Sequence, residues 1–113
     1  MHWHTTNSFR MTKAELESEI IKAIKTVYDP EIPVDVFELG LIYEIRIDEN
    51  NEVEIVMTLT SPSCPEAEVI PGQIEGKASA VEGVKSVKIN LTFDPPWTKE
   101  MMSEEAQLEL GFL

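Results

Sequence analysis

The sequence predicts a single α+β domain in which helices pack on one face of a three-stranded mixed sheet. The chain has 113 residues, 42% of them hydrophobic, which suits one compact core. Apolar residues recur at helical spacing in some segments and alternate strictly in three others, so that the predicted order is α-β-β-α-β-α. A short polar connection between the first two strands predicts a hairpin, and a helical crossover before the third permits parallel pairing.

The first helix should begin at Thr12, because Thr12 and Glu15 match a capping box. It should end near Tyr28, since the following Asp29-Pro30 disfavours helical geometry. Its buried face is predicted to consist of Leu16, Ile20, Ile21, Ala23, Ile24 and Val27.

Two further helices follow from the same spacing. The second is marked by apolar residues from Ile70 to Val81, and Pro71 either kinks it or starts a new helix. The third is short, from Ser103 to Leu110, and is stopped by Gly111.

The three strands are recognised by alternation of apolar and polar residues. Residues 48–52 supply the turn chemistry of a hairpin between the first two. The inward residues are predicted to be Leu41, Tyr43, Ile45 and Ile47; Val53, Ile55, Met57 and Leu59; and Val87, Ile89, Leu91 and Phe93.

Charge excludes some classes of partner. With 21 acids against 9 bases, the net charge of −12 disfavours nucleic acids and anionic membranes. Between Asp29 and Glu54 there are nine acids and one base, Arg46. That region is either a solvated face or a docking surface for a basic partner.

The chain is expected to be cytoplasmic. One cysteine cannot form an internal disulfide, no apolar stretch approaches membrane-spanning length, and the N-terminus lacks the layout of a signal peptide. Residues 1–11 are expected to be a disordered leader, with the domain spanning 12–113. His2 and His4 could form a two-ligand metal pair, but two ligands alone are weak evidence for a site.

Cys64 is the residue best suited to chemistry. It lies between Pro62 and Pro65, after a strand and before a helix, and proline suits the first position of a helix. A thiol at such an N-cap has its anion stabilised, and cysteines placed this way are often the reactive ones. The alternative is a buried thiol that acts as a small hydrophobe.

Prolines fix the backbone of three segments, namely residues 29–33, the Cys64 loop and residues 94–97. Each segment stands at the end of a regular element, where functional loops tend to lie. The alternative is that these prolines only terminate helices and strands. The candidate residues that they and their neighbours contribute around Cys64 are Asp29, Pro30, Glu31, Thr58, Thr60, Ser63, Pro65, Asp94 and Trp97.

Enzymatic and resident-metal roles are disfavoured. A thiol nucleophile usually needs a base, and the only histidines, His2 and His4, lie in the leader. Iron–sulfur clusters generally take four cysteines, so a cluster or iron bound through Cys64 would share its ligands with a partner or second subunit.

Five blocks of the sequence, taken in order, form a recognisable pattern. The blocks are Asp29-Pro30-Glu31, residues 39–42 (Leu-Gly-Leu-Ile), residues 58–65 (Thr-Leu-Thr-Ser-Pro-Ser-Cys-Pro), residues 81–87 (Val-Glu-Gly-Val-Lys-Ser-Val) and residues 94–97 (Asp-Pro-Pro-Trp). Their order and spacing resemble the metal–sulfur cluster biosynthesis family that includes SufT and PaaD-like proteins. The similarity covers roughly residues 12–113, with Phe37-Glu38 as a mild departure before the Leu-Gly block.

The resemblance implies an α+β fold and a role in assembling or delivering iron–sulfur clusters, with Cys64 in the position of the family's cysteine. The leading hypothesis is a non-enzymatic maturation factor in which Cys64 is a transient, shared metal ligand or a sulfur-handling thiolate. Its expected partners are the assembly machinery and apo-proteins that receive clusters, and a homodimer would be one way to complete the ligand set. The alternatives are an adaptor in which Cys64 is structural and, least favoured, a thiol-dependent enzyme.

Overall fold

The computed structural model describes residues 11–29, 32–60 and 69–111, and within these ranges the predicted α+β order is confirmed. Helix α1 spans Lys13–Ile24, strands β1 and β2 span Ile42–Ile47 and Glu52–Met57, and helix α2 spans Val69–Ser79. Strand β3 spans Ser86–Leu91, a 3₁₀ turn spans Lys99–Met101, and helix α3 spans Glu104–Glu109. None of the helices in these ranges is long and apolar enough to cross a bilayer.

The sheet is mixed, with β2 at its centre. β1 pairs antiparallel with β2 through a hairpin, and β3 pairs parallel with β2 in an unbroken register from Glu52↔Ser86 to Met57↔Leu91. The carboxyl ends of β2 and β3 therefore lie at the same edge of the sheet as the start of β1. We call this the carboxyl edge.

The core lies between one face of the sheet and helices α1 and α2. The inward residues of β2 (Val53, Ile55 and Met57) are at most 3% exposed, and they pack with the apolar faces of the helices. The opposite face is polar, since Arg46 pairs there with Glu44 at 2.8 Å and with Glu54 at 3.2 Å. The predicted packing of helices on one face is thus confirmed.

Helix α1 begins as predicted but ends earlier. The Thr12 hydroxyl accepts from the Glu15 N–H and the Glu15 carboxylate accepts from the Thr12 N–H, which forms the capping box. The helix ends at Ile24 rather than near Tyr28. The Thr26 hydroxyl donates to the Ala23 carbonyl at 2.6 Å, and the backbone pairing described below draws the next residues away from the helix.

The other two helices agree with the sequence. Pro71 lies in the first turn of the described part of α2, where a missing N–H is tolerated. Whether this helix continues toward Cys64 lies outside the described residues. Helix α3 is capped by Ser103, whose hydroxyl accepts from the Ala106 N–H at 3.1 Å.

Candidate functional site

The described parts of two candidate segments, those after β2 and after β3, lie at the carboxyl edge. Thr58 follows β2, Asp94 follows β3 by three residues, and Leu41 immediately precedes β1. The Thr58 N–H donates to the Leu41 carbonyl at 2.8 Å, and the Thr92 N–H donates to the Met57 carbonyl at 2.8 Å. The ends of all three strands are therefore tied together where the chain runs from β2 toward Cys64.

Thr58 is a buried polar residue at this edge. It is 0% exposed, and its hydroxyl donates to the Leu59 carbonyl at 3.4 Å. That distance is long for a hydroxyl donor, whose bonds usually measure 2.5–3.0 Å. A fully buried hydroxyl with such a weak bond retains capacity to bind a further group from the neighbouring segment.

Asp29 is the other buried polar side chain among the described residues, at 8% exposed. Its Oδ1 accepts from the Ile32 N–H at 3.1 Å, and its own N–H donates to the Val34 carbonyl at 3.5 Å. These two bonds tie Asp29 to Ile32 and Val34, whereas Pro30 and Glu31 lie outside the described residues.

The loop before β1 is held by a carboxylate and by backbone pairing. Oδ2 of Asp35 accepts from the N–H groups of Phe37 and Glu38, each at 3.0 Å. The Val36 N–H donates to the Val27 carbonyl at 2.9 Å, and the Leu41 N–H donates to the Val36 carbonyl at 3.2 Å. These bonds fix the Leu39–Leu41 block against Thr58.

The segment after β3 crosses toward the β1 side of the sheet and binds the same loop. The Trp97 Nε1–H donates to the Leu39 carbonyl at 2.7 Å, and the Tyr43 hydroxyl donates to the Pro95 carbonyl at 2.7 Å. Asp94 is exposed and contacts the described residues through its backbone, with its N–H donating to the Thr92 hydroxyl at 3.2 Å. Trp97 thus has a structural role at the edge, whereas Asp94 is exposed.

Gly40 allows this crossing segment to approach closely. Its φ of +82° lies in the left-handed region, and a Cβ at this position would overlap the carbonyl oxygen of Met101. The Leu-Gly-Leu block therefore requires glycine for two independent reasons, one conformational and one steric.

Glu38 adds a charged tie between the same two segments. Its carboxylate lies 3.2 Å from the Lys25 ammonium, and its carbonyl accepts from the Ser103 N–H at 2.8 Å. The Ser103 hydroxyl, and after it the Lys25 ammonium, hold the pKa of Glu38 below its ordinary value despite the opposing effect of burial. Lys25 also lies over the Phe37 ring, 5.4 Å from its centroid.

The structure brings part of the predicted site together. Thr58 and Trp97 both bind the Leu39–Leu41 block, and Thr60 is half-buried two residues beyond Thr58. Among the residues described, no group of three or more His, Cys, Asp or Glu side chains could hold a metal. Five predicted site residues lie outside the described ranges, namely Pro30, Glu31, Ser63, Cys64 and Pro65.

Sequence reasoning missed three contributors to this edge, namely Glu38, Tyr43 and Ser103. Tyr43 was assigned only to the inward face of β1. The pairing of β1 with β2 is irregular between Ile42 and Glu44, and the Tyr43 hydroxyl reaches Pro95. The position of Tyr43 among isoleucines could have indicated this bond, because the hydroxyl of a half-buried tyrosine usually finds a hydrogen-bond partner.

Comparison with known proteins places the chain among proteins of iron–sulfur cluster assembly. The family model described as iron–sulfur cluster assembly protein matches residues 17–91. The "Fe-S protein maturation auxiliary factor" of Porphyromonas gingivalis is 54% identical over 99 residues, which cover 88% of this chain and 94% of that protein. The Bacillus subtilis factor YitW, named in the same way, is 38% identical over 85% of this chain and 94% of its own.

Solved structures share the fold. A domain of unknown function from Bacillus anthracis superposes with a TM-score of 0.81 at 38% identity, covering 87% of this chain and 93% of that one. A conserved hypothetical protein from Thermotoga maritima gives 0.74 at 43% identity, covering 90% and 96%. The predicted family is confirmed: this chain belongs to the iron–sulfur cluster assembly protein family.

Proposed function

We propose that this chain is a non-enzymatic maturation factor that helps to assemble iron–sulfur clusters or to deliver them to apo-proteins. Membership of the family and the names of its close relatives support this role. Cys64 supplies the thiolate that transiently ligates iron or a cluster, or that handles sulfur. The cluster is cargo in this scheme, not a resident group.

The convergence of Thr58, Leu39–Leu41 and Trp97 at the carboxyl edge is the observation that carries the proposal. Cys64 follows Thr60 by four residues, so the covalent chain keeps its Cα within ~14 Å of the Thr60 Cα. The described residues that lead to the thiol therefore belong to an edge that several hydrogen bonds tie together. A cysteine tethered to a rigid edge is offered to a partner within a limited region of space.

The ligand shortage supports transient handling. The chain has one cysteine, and the described residues form no group of three or more side chains suited to a metal. Clusters generally take four thiolates, so the remaining ligands come from the assembly machinery, from a recipient protein, from a second copy or from a small thiol. A reducing compartment would keep a single thiol available, and we therefore assign the protein to the cytoplasm.

Anaerobic reconstitution tests the role of Cys64. The purified chain is incubated anaerobically with ferric iron and excess sulfide, which also reduces part of the iron, then desalted and examined for the visible absorption of a thiolate-ligated cluster. We expect the parent chain to acquire this absorption, Cys64→Ser to lack it, and Val69→Ala to retain it. Val69 is a matched control because its side chain is 49% exposed and it lies only five residues from the thiol.

Transfer is then measured by mixing the loaded protein with an apo-ferredoxin and following the appearance of holo-ferredoxin. Equal chromophores in the parent and in Cys64→Ser would remove the proposed role of the thiol. If neither protein acquires a chromophore and both bind an apo-recipient with equal affinity, the chain is an adaptor in which Cys64 is structural. The second outcome would leave the family role intact and reject the ligand role.

A further inference from the structure

The outer side of strand β3 is open with respect to the described part of the chain. In the sheet order β1-β2-β3, no strand of the described ranges pairs with that side. The Thr92 N–H donates to Met57 of β2, and successive residues of a strand direct their backbone groups to opposite sides. The N–H and C=O groups of Val87, Ile89 and Leu91 therefore point away from β2. Such a row of groups is a template for another strand.

The two edges of the sheet are not equivalent. β1 has an irregular register between Ile42 and Glu44, and irregularities of this kind discourage edge-to-edge pairing. β3 pairs with β2 without interruption over its whole length. Leu91 and Phe93, at and just beyond its end, are each 38% exposed. β3 is thus the regular edge of the sheet, with apolar side chains available for contact.

Charge favours a second copy of this chain as the occupant. At a net charge of −12, two copies repel each other wherever their carboxylates meet. Of the helices and strands in the described ranges, β3 alone contains neither Asp nor Glu. Residues 83–93 contain Lys85 and Lys88 and no acid. Two copies can approach along this edge without placing acid against acid.

We propose that the chain forms a symmetric dimer by antiparallel pairing of two β3 strands about a two-fold axis at Ile89. The two sheets then become one sheet of six strands. In this register, Ile89 faces Ile89 of the second copy, Val87 faces Leu91, and Lys88 faces Asn90. The outward backbone groups of Val87, Ile89 and Leu91 all find partners.

The neighbouring register is disfavoured. A shift that centred the axis on Lys88 would place two lysines directly opposite each other, and like charges in that arrangement are destabilising. Centring on Ile89 instead sets each lysine against an amide. Asn90 already donates to Glu54 of its own sheet at 3.2 Å, so this pair meets beside a carboxylate.

The dimer is independent of cluster handling. Because the two β3 strands run in opposite directions, the two carboxyl edges, from which the chain leads to Cys64, lie at opposite ends of the joined sheet. The interface therefore needs no bridging metal. It should persist in Cys64→Ser and in the presence of an iron chelator.

Sedimentation equilibrium of the full chain tests the interface. The mass should rise with concentration from 12.8 kDa toward twice that value. Asn90→Lys places two lysine pairs in direct opposition and should raise the dimer dissociation constant about 2- to 30-fold. Adding Lys88→Glu to that variant makes both facing pairs attractive and should return the constant to at or below the parent value.

Amide exchange followed by NMR gives a second readout. The N–H groups of Val87, Ile89 and Leu91 should gain protection as concentration rises, whereas that of Thr92 should be protected at every concentration. A monomer at all concentrations overturns the proposal. So does a dimer that Asn90→Lys leaves unchanged, or one that Cys64→Ser or the chelator dissociates.

Discussion

Replacing Gly40 with alanine is expected to destabilise the domain by about 2–5 kcal/mol. Gly40 has a φ of +82°, and placing an L-residue with a side chain there costs roughly 1–2 kcal/mol. The new Cβ would also overlap the Met101 carbonyl oxygen and lie 2.8 Å from its carbon. Since backbone, not a flexible side chain, would have to move, the overlap adds about 1–3 kcal/mol.

Thermal and urea denaturation followed by circular dichroism measure this loss. At about 4 °C per kcal/mol for a domain of this size, Tm should fall by roughly 8–20 °C. The urea slope should stay unchanged, because the same surface is exposed on unfolding. Local exchange of the Leu41 and Thr58 amides should also quicken, since the loop that holds them must shift.

Gly76→Ala is the matched control with the opposite sign. Gly76 lies within α2, is exposed, and has no atom within 4 Å of the position that a Cβ would take. Alanine there should stabilise the protein by about 0.5–1 kcal/mol, because glycine is unfavourable inside a helix. If Gly40→Ala proves as stable as the parent while Gly76→Ala gains stability, the close packing of Met101 on Gly40 is refuted.

Three further predictions concern the ties across the carboxyl edge. Trp97→Phe leaves the carbonyl of the buried Leu39 without its 2.7 Å donor and should lower the free energy of unfolding, measured by urea denaturation, by about 1–3 kcal/mol. An unchanged urea midpoint would contradict this. Tyr43→Phe should lower the free energy of unfolding by less, about 0.5–1.5 kcal/mol. In a double-mutant cycle with Trp97→Phe the two losses should be non-additive, and strict additivity would show that residues 95–97 do not move as one unit. Because the pKa of Glu38 is lowered in the folded state, its carboxylate stabilises the fold fully above the ordinary glutamate pKa of about 4.3 and progressively less as the pH falls through the folded value. Glu38→Gln should therefore cost about 0.5–1 kcal/mol of unfolding free energy at pH 7 and less at pH 3. An equal cost at both pH values would refute the charged tie.

Regular structure could be predicted wherever a local rule and burial agree. The alternation of Val53, Ile55 and Met57 matches a central strand that is buried on one face, and Thr12 with Glu15 forms the predicted cap. The predicted end of α1 near Tyr28 was wrong, because the helix is limited by the tertiary pairing of Val27 with Val36, which no local pattern shows.

The candidate site was only partly predictable for a similar reason. Its ties run between residues about fifty positions apart, as from Trp97 to Leu39 and from Tyr43 to Pro95. Such pairs leave no periodic signal in a single sequence. The acidic region from Asp29 to Glu54 was predicted to be either a solvated face or a docking surface. The structure shows that two of its acids serve the fold, since Asp35 accepts from backbone N–H groups and Glu38 pairs with Lys25.

The order in which the chain is synthesised gives the bond between Trp97 and Leu39 a further meaning. The two residues are 58 positions apart, so Leu39 emerges from a ribosome long before its indole partner exists. Strands β1 and β2 can form a hairpin early, but the loop before β1 gains its Trp97 and Ser103 donors only when residues 97 and 103 are released. A nascent chain would therefore carry its thiol before the carboxyl edge is complete. On the proposed role of Cys64, cargo would be received beside a finished edge only after nearly the whole domain has folded.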